Sequence, residues 1–209
     1  MNKMTELSKK KLIALTFDDG PGEYTGRLMD ILSDYGAKAT FFVLGNCIED
    51  EENILERMIN EGHEIGNHTF SHRPLTYMTE DEVIAEIADT TEKIRSACSF
   101  SPSFVRAPYG DVNESVQDIG KRLNVAFAGW AVDTVDWNTK DADKVCDAIV
   151  SGANKGDIIL CHDVHKSTVD AIEKALPILL EKGFSPVTLT DLLTSDGGTV
   201  EAGKVYYRR

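Results

Sequence analysis

The sequence predicts an α/β fold, a small or incomplete (β/α) barrel, on three observations. Short apolar runs alternate along the chain with segments of helical periodicity, which implies parallel strand pairing. Seven such units fit into the 209 residues. A full eight-unit barrel typically takes about 250 residues, so a reduced one fits better. An open doubly wound sheet is the alternative.

Each element has its own signal. "KLIALTF" (11–17) reads as the first strand, and "YTGRLMDILSDYG" (24–36) as a helix with Leu28, Ile31, Leu32 and Tyr35 at helical spacing, closed by Gly36. "KATFFVL" (38–44) is the second strand. "NILERMINEG" (53–62) carries Ile54, Leu55, Met58 and Ile59 on one face and stops at Gly62. "HEIGN" (63–67) is a short strand. "TEDEVIAEIADTTEKI" (79–94) opens with a capping box, Thr79 to Glu82. "SFVRA" (103–107), "VAFAGW" (125–130), "DIILCH" (157–162) and "SPVTL" (185–189) read as further strands. "NESVQDIGKRL" (113–123), "DADKVCDAIVSG" (141–152) and "STVDAIEKALPILLEKG" (167–183) read as helices, the last with a kink expected near Pro177. "DLL" (191–193) reads as a short turn before the tail.

Composition narrows the partners. Apolar residues make up 42% and charged residues 27%, the balance of a globular chain. The net charge is −13, which repels phosphate backbones and anionic lipid, so nucleic acid is not expected as a partner and a neutral substrate is. No apolar run approaches the roughly 20 residues of a transmembrane helix. Residues 1–10 read as a polar leader rather than a signal peptide, and residues 11–209 as one domain. As given, the chain reads as cytoplasmic; trimmed of a targeting segment, it would be extracellular or of the cell wall. A monomer is expected. Cys47, Cys98, Cys146 and Cys161 show no CxxC spacing and read as free thiols.

In parallel α/β folds the chemistry sits where strands end. Five strand ends here carry reactive side chains: Asp18 and Asp19; His68 and His72; Arg106 and Tyr109; Asp133, Asp136 and Trp137; and His162. In a barrel all five face one mouth. An isolated Asp-Asp-Gly-Pro is ordinary turn chemistry, but the other ends give the pair a use. His68 and His72, four apart, would share one face of a helical turn. With Asp19 they make a three-ligand site for a divalent metal with open positions. Asp18, beside that cation, is the candidate general base. His162, which titrates near neutrality, is the candidate acid. Asp133 or Asp136 would orient His162, and Arg106 would hold Asp18 by a bidentate contact. Trp137 is read as core packing or a pocket wall. Alternation along the strand turns Cys161 away from Leu160 and His162 and into the packing. His63 and His165 read as structural or loop residues.

The motifs "TFDDGP", "HTFSH", "RAPYG", "DTVDW" and "LCHD", in this order, resemble the polysaccharide deacetylase family, metal-dependent carbohydrate esterases that include chitin and peptidoglycan N-acetylglucosamine deacetylases. The likeness runs from about Lys11 to the tail. It implies a distorted seven-stranded (β/α) barrel forming a single catalytic domain. It implies Asp18 as base, Asp19, His68 and His72 as metal ligands, Arg106 steadying Asp18, and Asp136 tethering His162, the acid. The Tyr109 N–H would help hold the oxyanion, and Leu160 and Trp137 would wall the pocket for the acetyl methyl. It implies zinc, with cobalt or manganese as alternatives, and an acetylated polysaccharide or oligosaccharide as substrate.

Three rival readings remain at this point. The same machinery could cleave an acetyl ester, as in acetyl xylan. Two histidines and a carboxylate also ligate non-haem iron in oxygenases. A carbohydrate-binding relic of the fold is the non-enzyme reading, and it predicts a lost base or ligand, whereas every motif is intact.

Overall fold

The computed structural model describes residues 10–209. Apart from Lys10, the expected leader lies outside the described residues.

Among the described residues nine strands form one parallel sheet, in the order β6-β7-β1-β2-β3-β4-β5-β9, with β8 also paired to β1. The strands are β1 (Lys11–Gly20), β2 (Ala39–Val43), β3 (Glu64–Asn67), β4 (Phe104–Val105), β5 (Ala126–Ala128), β6 (Val132–Asp133), β7 (Ile158–His162), β8 (Phe184–Pro186) and β9 (Val205–Tyr206). The helices are α1 (Thr25–Asp34), α2 (Glu52–Asn60), α3 (Glu80–Cys98), α4 (Glu114–Leu123), α5 (Asp136–Thr139), α6 (Ala142–Gly152), α7 (Lys166–Glu181) and α8 (Leu189–Thr194). Strands β1 to β5 succeed one another in a single direction, and β7 returns to the other side of β1. A doubly wound sheet would reverse direction beside its first strand. This order is that of a curled, distorted (β/α) barrel, as expected, and the doubly wound alternative falls.

The alternation of side chains along each strand decides what faces the barrel interior. In β1, Ile13, Leu15 and Phe17 belong to the core under the helices, together with Leu28, Leu32, Ile172 and Leu176. Leu12 and Ala14 belong to a second cluster with Phe42, Phe104, Ala126 and Ile158, inside the curl. Residues 16 and 18 continue that inward set. Both faces of β1 are therefore dry, which is why its run is apolar throughout rather than alternating. The same parity in β7 turns Ile159 and Cys161 toward the helices and leaves Leu160 and His162 inward.

Local signals shaped most helices. Both halves of the Thr79–Glu82 capping box form at the start of α3. Asn113 and Asp141 cap α4 and α6 with their side chains. Helix α7 runs through Pro177 to Glu181. The "DLL" turn is the helix α8, capped by the Thr188 hydroxyl. Strands β6 and β9 and helix α5 lay outside the expected elements, because spans of two to four residues carry no readable period. Among the described residues all four cysteines are free, and no helix is long and apolar enough to cross a membrane.

Candidate active site

Strand register brings the two proposed proton carriers together: Asp18 pairs with Phe42 of β2 on one side and with His162 of β7 on the other. Both side chains point into the curl at its carboxyl end. Asp18 is 3% exposed. Its Oδ1 accepts a hydrogen bond from Arg106 Nη1 at 2.8 Å. Arg106 is fully buried, and its guanidinium is spread over four acceptors rather than forked onto one carboxylate. Nη1 also donates to Thr16 Oγ1 at 2.7 Å, Nε to the Ala128 carbonyl at 3.1 Å and Nη2 to the Gly129 carbonyl at 3.0 Å. The bidentate contact expected from the sequence is thus a single one. The carbonyls that end β5 take the other donors, and the Phe42 ring lies 4.2 Å from the guanidinium carbon.

Asp19 breaks the alternation. Its φ of 73° is left-handed, which swings its carboxylate back toward the mouth instead of out toward the helices. Asp19 Oδ1 lies 3.3 Å from His68 Nε2 and 3.3 Å from His72 Nε2. That oxygen is buried and has no hydrogen-bond partner. The three ligand atoms lie within 4.8 Å of one another, and among the described residues only these three form such a group. His68 Nδ1 is 2.8 Å from the Arg106 carbonyl. A carbonyl can only accept, so Nδ1 is the donor there, and Nε2 is the ring nitrogen turned toward Asp19. Burial, followed by the neighbouring His68, lowers the His72 pKa and keeps its imidazole neutral. Burial works to raise the pKa of Asp19, but its interactions with His68 and then His72, each 3.3 Å away, outweigh it and lower the pKa. A buried carboxylate oxygen without a donor, facing two imidazole nitrogens, fits a divalent cation.

The two histidines do not sit on a helix. Residues 68–74 form a loop, with Thr69 at φ 71° and His72 at φ 58°. The expected helical turn is corrected: the loop, not an i,i+4 face, converges the rings, whose centroids are 5.0 Å apart.

On the opposite wall Asp136 grips His162. Asp136 Oδ1 is 2.7 Å from His162 Nδ1, and its Oδ2 accepts the His162 backbone N–H at 2.7 Å. Thr168 Oγ1 and the Trp137 N–H complete its shell. Asp133 is exposed and caps its own turn through Val135 N–H, so Asp136 is the orienting carboxylate of the two candidates. Burial opposes a charge on His162, but the hydrogen bond and charge of Asp136, with Asp18 and Asp19 adding to them, raise its pKa to about 9.

Asp18, Asp19, His68, His72, Asp133 and His162 line one cavity of about 370 Å³, together with Tyr109, Trp137 and Leu160, while Arg106 and Asp136 stand behind its wall. Tyr109 stands in the left-handed region at φ 62°, and its ring packs edge-on to His72 at 4.9 Å. Trp137 is half exposed rather than core, whereas Leu160 is buried. Sequence reasoning missed Trp130, also on the cavity wall, and Thr168, which braces Asp136. Trp130 ends an apolar run and could have been flagged as a strand-end aromatic; Thr168 carried no signal. His63 is buried under Phe41, and His165 lies beyond His162 with its ring 6.3 Å away.

A family profile described as polysaccharide deacetylase matches residues 6–128. The chain is 39% identical over 188 residues to a peptidoglycan-N-acetylglucosamine deacetylase of Bacillus cereus, covering 88% of this chain and 68% of the relative. It is 35% identical to the Listeria monocytogenes deacetylase PgdA, of whose length it spans 44%. A solved deacetylase with substrate superposes with a TM-score of 0.91 at 38% identity, covering 96% of this chain and 98% of that one. A family 4 acetyl xylan esterase from Clostridium thermocellum, solved with a cobalt ion, does so with a TM-score of 0.89 at 34% identity, covering 94% and 98%. The likeness extends from the motifs through the whole described fold, and this chain belongs to the polysaccharide deacetylase family.

Proposed function

We propose that this chain is a metal-dependent hydrolase that removes acetyl groups from N-acetylated sugars, the N-acetylglucosamine of peptidoglycan or of a chitooligosaccharide. The observation that carries this is the partnerless Asp19 Oδ1 between two imidazole nitrogens, flanked on one rim by a carboxylate and a histidine of opposite roles. Asp19, His68 and His72 would hold the cation, a donor set suited to zinc, with cobalt or manganese as alternatives. When bound, such an ion polarises a carbonyl and lowers the pKa of water from 15.7 toward about 7.

The remaining steps belong to the protein. Arg106 occupies Asp18 Oδ1 and leaves Oδ2, 3.7 Å from His68 Nε2, to take the proton of the attacking water. The water oxygen bonds to the acetyl carbon. The Tyr109 N–H receives the developing oxyanion, and Leu160 and Trp137 enclose the methyl. An amine leaves poorly as an anion, so the C–N bond breaks as His162 Nε2 delivers its proton to nitrogen. Acetate and a free amino sugar result. Asp136 keeps the proton on His162 and fixes the ring. We read residues 11–209 as one catalytic domain that acts as a monomer.

The likeness to the acetyl xylan esterase favours one second reading, ester cleavage by the same site. Acetate release from chitooligosaccharides, peptidoglycan fragments and acetylated xylan, with and without chelator, separates the two. Release from the amides that chelator abolishes is expected. Release from xylan alone selects the esterase, and release untouched by chelator overturns the metal-dependent mechanism. An iron oxygenase has no use for the pair Asp18 and His162, and would need oxygen for product.

A further inference from the structure

The loop carrying both imidazole ligands holds a conformation its residues do not favour. Thr69 at φ 71° is a β-branched residue in the left-handed region, and His72 follows at φ 58°. Such backbone persists only where its surroundings over-determine it. Asn67 Oδ1 accepts the Thr69 N–H at 2.7 Å, and Thr69 Oγ1 accepts the His72 N–H at 3.3 Å. Asn67 is itself anchored to α3 through the Ile87 carbonyl at 2.8 Å and Thr91 Oγ1 at 3.0 Å. The stretch between the two histidines has a stronger anchor on the same helix. Glu86 Oε2 accepts the N–H groups of Phe70 and Ser71 at 2.7 and 2.8 Å, and its Oε1 accepts the Ser71 hydroxyl at 2.5 Å. One half-buried carboxylate thus takes three donors from the loop, a charge-assisted set.

We propose that Glu86 is a positioning residue of the metal centre, holding residues 70–71 so that His72 stays aimed at Asp19. His68 has its own tether to the Arg106 carbonyl, whereas among the described residues no hydrogen bond fixes the His72 ring. Freed of Glu86, the loop relaxes toward ordinary φ values and takes His72 out of the group. This rests on the reading of Asp19, His68 and His72 as ligands.

The test titrates metal-free protein with cobalt alone, following the visible absorption of bound cobalt and its affinity by competition with a chelator, next to the melting temperature of each metal-free form. Glu86→Ala is expected to lose roughly 10- to 100-fold in cobalt affinity. Glu86→Gln is expected to stay within about threefold, because an amide oxygen still accepts the two N–H groups and its NH2 can donate to the Ser71 hydroxyl. Thr79→Ala removes the hydroxyl of the capping box at the head of the same helix and leaves Glu82 beside Arg73. It should lower the melting temperature and leave cobalt affinity unchanged. The proposal is overturned if Glu86→Ala binds cobalt as tightly as wild type, or if Thr79→Ala loses as much affinity as Glu86→Ala. Should Glu86→Ala not fold, Ser71→Ala removes only the hydroxyl contact; a severalfold loss supports the proposal and an unchanged affinity overturns it. Wild-type protein that binds no cobalt would instead overturn the ligand reading itself.

Discussion

Asp136 holds His162 at two points: one carboxylate oxygen faces the ring Nδ1 at 2.7 Å while the other accepts the backbone N–H of the same residue at 2.7 Å. Ring and backbone are fixed together, so Nε2 is presented to the cavity in one orientation. The buried negative charge also raises the His162 pKa from 6.5 to about 9, against the opposing effect of burial.

Activity should therefore fall on the alkaline side near pH 9, where His162, the proposed acid, loses its proton. The sign is that of a histidine raised above its unfolded value. Its contribution to folding is complete below pH 6.5 and is lost as pH rises through about 9. Asp136→Asn should move the alkaline limb of kcat/KM downward in pH. A pH–rate profile checks this, and a limb unmoved by the substitution would sink the assignment of His162 as the acid.

Asp18→Asn should retain metal yet lose turnover by about 100- to 10,000-fold, the usual contribution of a positioned base. Metal content and acetate release, measured on the same sample, read the two effects separately. Wild-type turnover in this variant would remove Asp18 from the mechanism.

His68→Ala should lose both metal and turnover, because it deletes one of the three proposed ligands. Chelator treatment of wild-type protein should reproduce the loss, and added zinc or cobalt should reverse it. A His68→Ala protein that keeps stoichiometric metal would contradict the ligand set.

Arg106→Ala should destabilise the fold by about 3–5 kcal/mol, since it strips the partner from a buried carboxylate and leaves two carbonyls and a hydroxyl without donors. Arg106→Lys should recover little, because one ammonium cannot span acceptors spread around a planar guanidinium. Urea unfolding of both variants, compared with wild type, measures this. A loss under about 1 kcal/mol would mean that the Asp18–Arg106 pair is not the anchor described.

The chain's local patterns carried the alternating α/β architecture, because buried strands and amphipathic helices each leave a period in their own residues. They also carried the positions of Asp18, Asp19, His68, His72 and His162, because a parallel fold puts its chemistry at strand ends. Tertiary structure decided the rest. Spacing put His68 and His72 on a helical face, but Asn67, Glu86 and the left-handed Thr69 made them a loop. "RAPYG" pointed Arg106 at Asp18, yet only the neighbouring end of β5, with the Ala128 and Gly129 carbonyls, set how its donors divide. Spacing alone left Asp133 and Asp136 equal, the family motif favoured Asp136, and the approach of β7 and of Thr168 on α7 is what puts Asp136 against His162. Each of these outcomes depends on groups tens of residues apart meeting at ångström distances, and such contacts leave no period in a local stretch of chain.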